Sequence, residues 1–266
     1  MLMITSNPFS ELSELIRSGG MQAYVIVMFL LVAAGTIVDV IHKRSAKYFF
    51  ENTKKAKERA VQPISGATKA SVAMKTLARD ILASAEFDNQ KRRLAHLLTM
   101  YGFILFLVTT VIMVFSNPTP EAPTPALWPV LWHLGALMVC IGGYWFWFTI
   151  RVDVAAEGHP WYRVVQADLF ILSLLATTTF GLIWSWFQHS RPGGLATFFF
   201  GLFIIASTTL FGTVLWSKFA HMFVKPAAAF QKRFAEADGS RDNLPAPADK
   251  PKQFGLGIKR ERPRHY

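Results

Sequence analysis

The chain has 266 residues, 52% of them hydrophobic and 14% aromatic, with 23 Phe and 8 Trp, which is too apolar for an ordinary water-soluble domain and suits a surface facing lipid. Its formal charge of +11 would suggest nucleic acid in a soluble protein, but the basic residues lie in loops between apolar runs, so membrane topology accounts for them and no nucleic-acid partner is expected. The single cysteine, Cys140, excludes an internal disulfide and any all-cysteine iron–sulfur cluster within the chain.

Residues 1–20 carry Glu11, Glu14 and Arg17 and lack an apolar core after a positive start, so they are expected as a short outer segment rather than a cleavable signal. A bilayer crossing needs roughly 20 apolar residues at about 1.5 Å rise each. Five stretches qualify, at about 21–42, 95–116, 127–150, 164–187 and 197–224. Backbone groups cannot go unpaired in lipid, so these runs are expected to be helices.

Orientation follows from the basic residues. Loop 43–94 holds 13 of the 28 Lys and Arg and the tail 225–266 holds 10, while Arg17 and Arg191 alone fall on the opposite side. The expected architecture is therefore all-α. It is a five-transmembrane-helix bundle over 21–226, with the N-terminus outside and a basic cytoplasmic tail, 227–266. The membrane would be the cytoplasmic membrane of a bacterium or archaeon.

The outer connections, 117–126 and 188–196, are short and rich in turn formers. Loop 43–94 has two parts. Lys43 to Arg59 reads as a charged extension of the first span. Thr68 to Phe87 places Val72, Leu77, Ile81 and Leu82 around Lys75 and Arg79, the pattern of an amphipathic helix on the inner surface. That helix suits lipid headgroups or the docking of a soluble subunit. From Asp238 the tail carries four prolines and scattered charge, and no independent structure is expected there.

Seven histidines are present. His42, His159, His189 and His265 fall at interfaces or in loops, where a solvated imidazole needs no explanation. His133 lies about one turn into the third span, where it would bond a carbonyl of a neighbouring helix or face a quinone headgroup. His96 and His221 are matched in depth near the inner ends of the second and fifth spans. Imidazoles so placed can hold a haem iron from both sides. Ala95, Gly102, Gly212 and Ala220 beside them would admit a flat macrocycle. Asp39 and Asp168, near inner helix ends, are further candidates for proton handling at a quinone site, or they pair with Lys43, Lys218 or Arg163.

The run His96-Leu97-Leu98-Thr99-Met100-Tyr101-Gly102-Phe103 resembles the second-span motif of the nitrate reductase gamma-subunit superfamily of membrane b-type cytochromes. Trp216-Ser217-Lys218-Phe219-Ala220-His221, with Pro226 beyond, resembles that family's fifth-span ending. The resemblance covers roughly 21–226 and implies one haem b with His96 and His221 as axial ligands. Lys218, three residues before His221, would meet a propionate. Positions that carry the second, outer haem's ligands in the nitrate reductase type are Phe106 and Phe203 here. The pattern is thus more similar to the branch serving sulfur and heterodisulfide metabolism, above all to stand-alone anchors of the adenylylsulfate reductase type or the membrane subunit of the quinone-interacting oxidoreductase. What this implies is electron transfer between a quinone, as substrate, and cytoplasmic iron–sulfur or flavoprotein subunits docked on loop 43–94 and the tail. A haem-free scaffold that tethers a soluble enzyme is the competing expectation.

Overall fold

The computed structural model describes residues 3–12, 16–42, 45–85, 87, 89–153, 158–190, 192–214, 221–240, 253–254 and 258–259. Among these, five helices are long and apolar enough to cross a membrane, and the protein is an all-α, multi-pass membrane protein. A two-residue antiparallel ladder in the tail, Gln253–Phe254 with Ile258–Lys259, adds nothing to the fold.

The helices are α1 (Pro8–Glu11), α2 (Ser18–His42), α3 (Ser45–Glu58), α4 (Gly66–Lys75), α5 (Gln90–Ser116), α6 (Leu127–Trp145), α7 (Leu169–Ser190), α8 (Gly194–Gly212) and α9 (His221–Ala237). α4 and α6 each run on into a π-helical segment, Thr76–Leu82 and Phe146–Ile150. Side chains cap the polar starts: Asn7 accepts from the amides of Phe9 and Ser10, Ser65 from Thr68, and Asn89 from Lys91 and Arg92. The chain forms two compact units, residues 1–38 with 94–220, and 39–93 with 221–266.

In the first unit the spans are held by close backbone approach and by hydroxyl and indole hydrogen bonds. Hydrophobic burial is a weak glue between helices in lipid, where small residues and interhelical hydrogen bonds take over. On α5 and α6, Gly102 and Gly135 face each other so closely that a Cβ at 102 would lie 2.7 Å from the Gly135 carbonyl oxygen. Two turns further, a Cβ at Gly142 would lie 2.6 Å from the Ala95 oxygen. Trp132 Nε1 donates to Thr110 Oγ1 at 2.9 Å, joining the same two helices. Tyr144 Oη lies 2.9 Å from Thr179 Oγ1 and joins α6 to α7. Tyr24 Oη lies 2.8 Å from Ser207 Oγ and joins α2 to α8. Ile26, Phe29, Leu30 and Ile37 of α2 point outward, as expected of a helix at the bundle's edge in lipid.

The fifth span stops at Gly212, short of the 224 expected. Thr213 leaves helical geometry, and its hydroxyl bonds back to the Thr209 carbonyl at 2.6 Å. A glycine followed by a back-bonding threonine favours a helix end. Residues 215–220, including Lys218, lie outside the described residues.

The second unit shows what the basic segments build. The amphipathic helix expected at 68–87 forms as α4 with its π extension, and the segment expected as a charged extension of the first span forms a helix of its own, α3. The tail contributes more than expected: α9 continues through Pro226 to Ala237. Lys225-Pro226 reads as a stop in sequence. The residues after it, Ala227 to Ala229 and Gln231 to Glu236, are strong helix formers that carry the helix onward. α9 is fixed by Gln231 Nε2, which donates to the Phe49 oxygen and Thr53 Oγ1 of α3, both at 3.1 Å. Arg233 grips the Asp80 carboxylate with two donors, Nη2 to Oδ1 at 2.6 Å and Nε to Oδ2. Val72 and Thr76 are buried, whereas Leu77 and Leu82 stay exposed. Thus only part of the amphipathic face expected at 68–87 is buried within the unit.

Two outcomes follow. Gly102→Ala forces a methyl into backbone and should lower stability by about 1–3 kcal/mol, whereas Gly201→Ala, with open space around it, should be neutral or slightly stabilising in the same thermal-unfolding assay. The Arg233 hydrogen bond holds the Asp80 carboxyl below its ordinary range. Its contribution is therefore full above the unfolded value of about 3.9 and is lost as pH falls through the depressed folded value. Asp80→Asn should remove about 1 kcal/mol, speed amide exchange in α9 about fivefold at neutral pH, and abolish that acid dependence.

Candidate functional site

The basic end of the first unit carries two of the residues singled out in the sequence. His96 is the seventh residue of α5 and is half-buried. Residues seven apart share a helix face, so His96 lies in line with Phe103. The Phe103 ring is buried and meets Phe211 of α8, with centroids 6.4 Å apart. This face of α5 is therefore turned toward α8, the fifth span. Ala95 and Gly102, read in sequence as room for a macrocycle, occupy a different face and are filled by α6. That part of the expectation is corrected: their smallness serves helix–helix contact. Gly212 has open space around it. His221 opens α9, and its side chain, like Ala220, lies outside the described residues.

Asp168 is not paired with Arg163. Its partner is Arg151, which is completely buried. Arg151 Nη2 donates to Asp168 Oδ2 at 2.5 Å and to the Arg163 oxygen at 2.6 Å. Nη1 donates to the oxygens of Pro160 at 2.9 Å and His159 at 3.3 Å. The guanidinium carbon sits 4.2 Å from the Trp147 ring centroid, a cation–π contact. Asp168 Oδ2 also accepts the Val165 amide at 2.9 Å. Gly158, at φ 64°, supplies the left-handed turn that brings the His159 amide back onto the Arg151 carbonyl at 3.0 Å. Asp168 is thus an anchor for the connection between α6 and α7.

His133 is buried and bonded through both ring nitrogens. The Pro129 carbonyl can only accept, so Nδ1 carries the proton and donates to it at 2.7 Å. Nε2 then accepts from Ser185 Oγ at 2.9 Å, joining α6 to α7. The carbonyl it bonds belongs to its own helix, four residues back, and its partner on the neighbouring helix is a hydroxyl rather than the expected carbonyl. Asp39 is buried near the basic end of α2.

The opposite end holds what sequence reading missed. α1 folds inward, and the Phe9 ring is buried edge-on against Trp132 at 5.9 Å and Trp184 at 5.1 Å, with Phe203 at 6.4 Å. Phe106 stacks on Trp132 at 4.9 Å, and Phe203 on Trp184 at 5.5 Å. Phe106 and Phe203 are therefore built into a closed aromatic core. Asn7 fixes α1 in place, donating through Nδ2 to the Asn117 oxygen and Thr124 Oγ1, both at 3.0 Å. Burial pushes the Glu11 carboxyl upward, with His189 pulling it partly back. The available signal was Pro8-Phe9 after a capping asparagine, which marks a helix start but not its inward fold.

Removing one member of a buried ion pair strands the other in low dielectric. Asp168→Asn should therefore cost about 3 kcal/mol in unfolding free energy, while the double change Arg151→Met with Asp168→Leu should recover a large part of it.

No protein-family model matches this chain, and no curated protein or solved structure is detectably similar to it.

Proposed function

We propose that this chain is a haem b membrane subunit that carries electrons between a quinone pool and cytoplasmic iron–sulfur or flavin subunits, in dissimilatory sulfur metabolism of the adenylylsulfate reductase type. The observation that carries the reading is His96. It stands in a His-Leu-Leu-Thr-Met-Tyr-Gly-Phe setting, half-buried at the basic end of α5, on the face turned toward the fifth span. His221 is the second axial ligand and Lys218 the residue for a propionate. A haem bound there supplies one-electron redox chemistry without an open iron position, which suits transfer rather than oxygen activation.

The chain's own part is to ligate, bury and orient. The α5 face supplies an imidazole and, two turns further along the same face, the buried Phe103 ring. Around α3, α4 and α9 the second unit presents the basic surface on which an acidic soluble partner docks. Quinone enters from the membrane. The residues named for proton handling are His133, Asp39 and Asp168, and of these His133 and Asp168 also serve as structural hydrogen-bonding groups. The membrane is the cytoplasmic membrane of a bacterium or archaeon, with the basic side inward.

A haem-free scaffold remains the second reading, favoured by one observation: Ala95 and Gly102 serve the α5–α6 contact. A reduced-minus-oxidised spectrum of the purified full chain, expressed with ample haem, separates the two. The expected result is a b-type alpha band that is lost in His96→Ala and in His221→Ala and kept in His42→Ala. A folded chain with no band identifies the scaffold.

A further inference from the structure

The lipid-facing strip of α6 does not end with the helix. Leu134, Leu137, Ile141, Tyr144 and Phe148 recur at intervals of three and four, and all are exposed. That is one continuous helix face. Tyr144 stacks on Phe148 at 6.1 Å, Phe148 meets Trp161 at 6.4 Å, and Trp161 meets Tyr162 at 5.8 Å. The aromatic row thus leaves the helix and continues onto the connection to α7.

Trp161 and Tyr162 are the two central residues of a β-turn, closed by the Arg163 amide donating to the Pro160 oxygen at 3.0 Å. Large aromatics are poor choices for a turn tip in water, yet here they are 58% and 71% exposed. The tip is also held rigidly. Arg151 bonds the carbonyls on both sides of it, those of His159 and Pro160 before and Arg163 after, and is itself locked to Asp168. A fixed, exposed pair of amphipathic rings, continuous with a lipid-contacting face and followed by the exposed cation Arg163, matches the chemistry of the headgroup–acyl boundary. There a ring's apolar body and polar edge are both satisfied.

We propose that the Pro160–Arg163 turn is a bilayer anchor, with Trp161 and Tyr162 seated among the lipid headgroups of the basic-side leaflet and Arg163 beside the phosphates. The continuity with α6 selects lipid over a soluble protein as the occupant. The buried Arg151 then has a second consequence: it sets the depth at which α6 and α7 sit in the membrane.

The test uses the full chain with Cys140→Ser, reconstituted in phosphatidylcholine–phosphatidylglycerol vesicles and spin-labelled at Tyr162→Cys. Glu121→Cys serves as the water reference and Leu137→Cys as the lipid reference. The label at 162 is expected to be several-fold more accessible to oxygen, relative to a water-soluble nickel chelate, than the label at 121. Accessibility indistinguishable from that at 121 overturns the proposal and leaves the turn as a surface for a soluble partner. Should the Cys140→Ser chain fail to fold, the emission lost in Trp161→Phe, made in the otherwise native chain, decides. Emission that is blue-shifted and quenched by lipids brominated near the headgroup supports the anchor, and water-like, unquenched emission rejects it.

Discussion

A charged guanidinium with no solvent exposure is the costliest group in this structure, and the connection between α6 and α7 is arranged around it. Arg151 cannot shed its proton, so burial demands partners for the charge and for the donors. Asp168 supplies the charge, and three loop carbonyls with the Trp147 face supply much of the rest. The arrangement works in both directions. A loop leaving a membrane helix has carbonyls that need donors, and Arg151 provides them from a single side chain. The π segment Phe146–Ile150 immediately before it widens the helix and changes the direction in which residue 151 emerges.

Within the spans the same demand for polar satisfaction is met differently. Indole, imidazole and phenol groups bridge neighbouring helices to hydroxyls: Trp132 to Thr110, His133 to Ser185, Tyr24 to Ser207. Each bond fixes the rotation of one helix against another, which apolar contact in lipid does poorly. The glycine contacts between α5 and α6 add a distance constraint. Together they leave little freedom in how α5 is turned, and that rotation decides which way His96 points.

The spans were legible because length and apolarity suffice to identify them, and bounds were accurate where turn formers adjoin, as at Ser116 before Asn117-Pro118, but not at Asn89, where the helix starts five residues before the apolar run. The end of the fifth span was not, because hydrophobicity continues past Gly212 while backbone geometry does not. Helix α9 was missed for the converse reason: Pro226 reads as a terminator, and only packing on α3 and α4 shows that the helix continues. Ala95 and Gly102 show a third limit. Small residues signal close approach, but sequence does not say to what. Asp168 reads in sequence as a proton-handling group at a quinone site or as one half of an ion pair. Its partner was taken from the residues nearest in composition rather than from Arg151, whose position at the end of a π segment could not be foreseen. Phe9 lay outside any periodic run, so nothing marked it as core.

The two ends of the first unit differ in a way that bears on function. Toward the N-terminal end, the interior among α1, α5, α6, α7 and α8 is filled by Phe9, Phe106, Trp132, Trp184 and Phe203, rings in mutual contact. Side chains packed to interior density transmit strain and resist insertion, so opening this half to a bound group would require replacing several rings together. The basic end instead presents an imidazole on a face turned to the fifth span and a connection stiffened by a buried ion pair. In the carrier proposed above, the closed half would fix the helix positions and the basic half would hold the single cofactor.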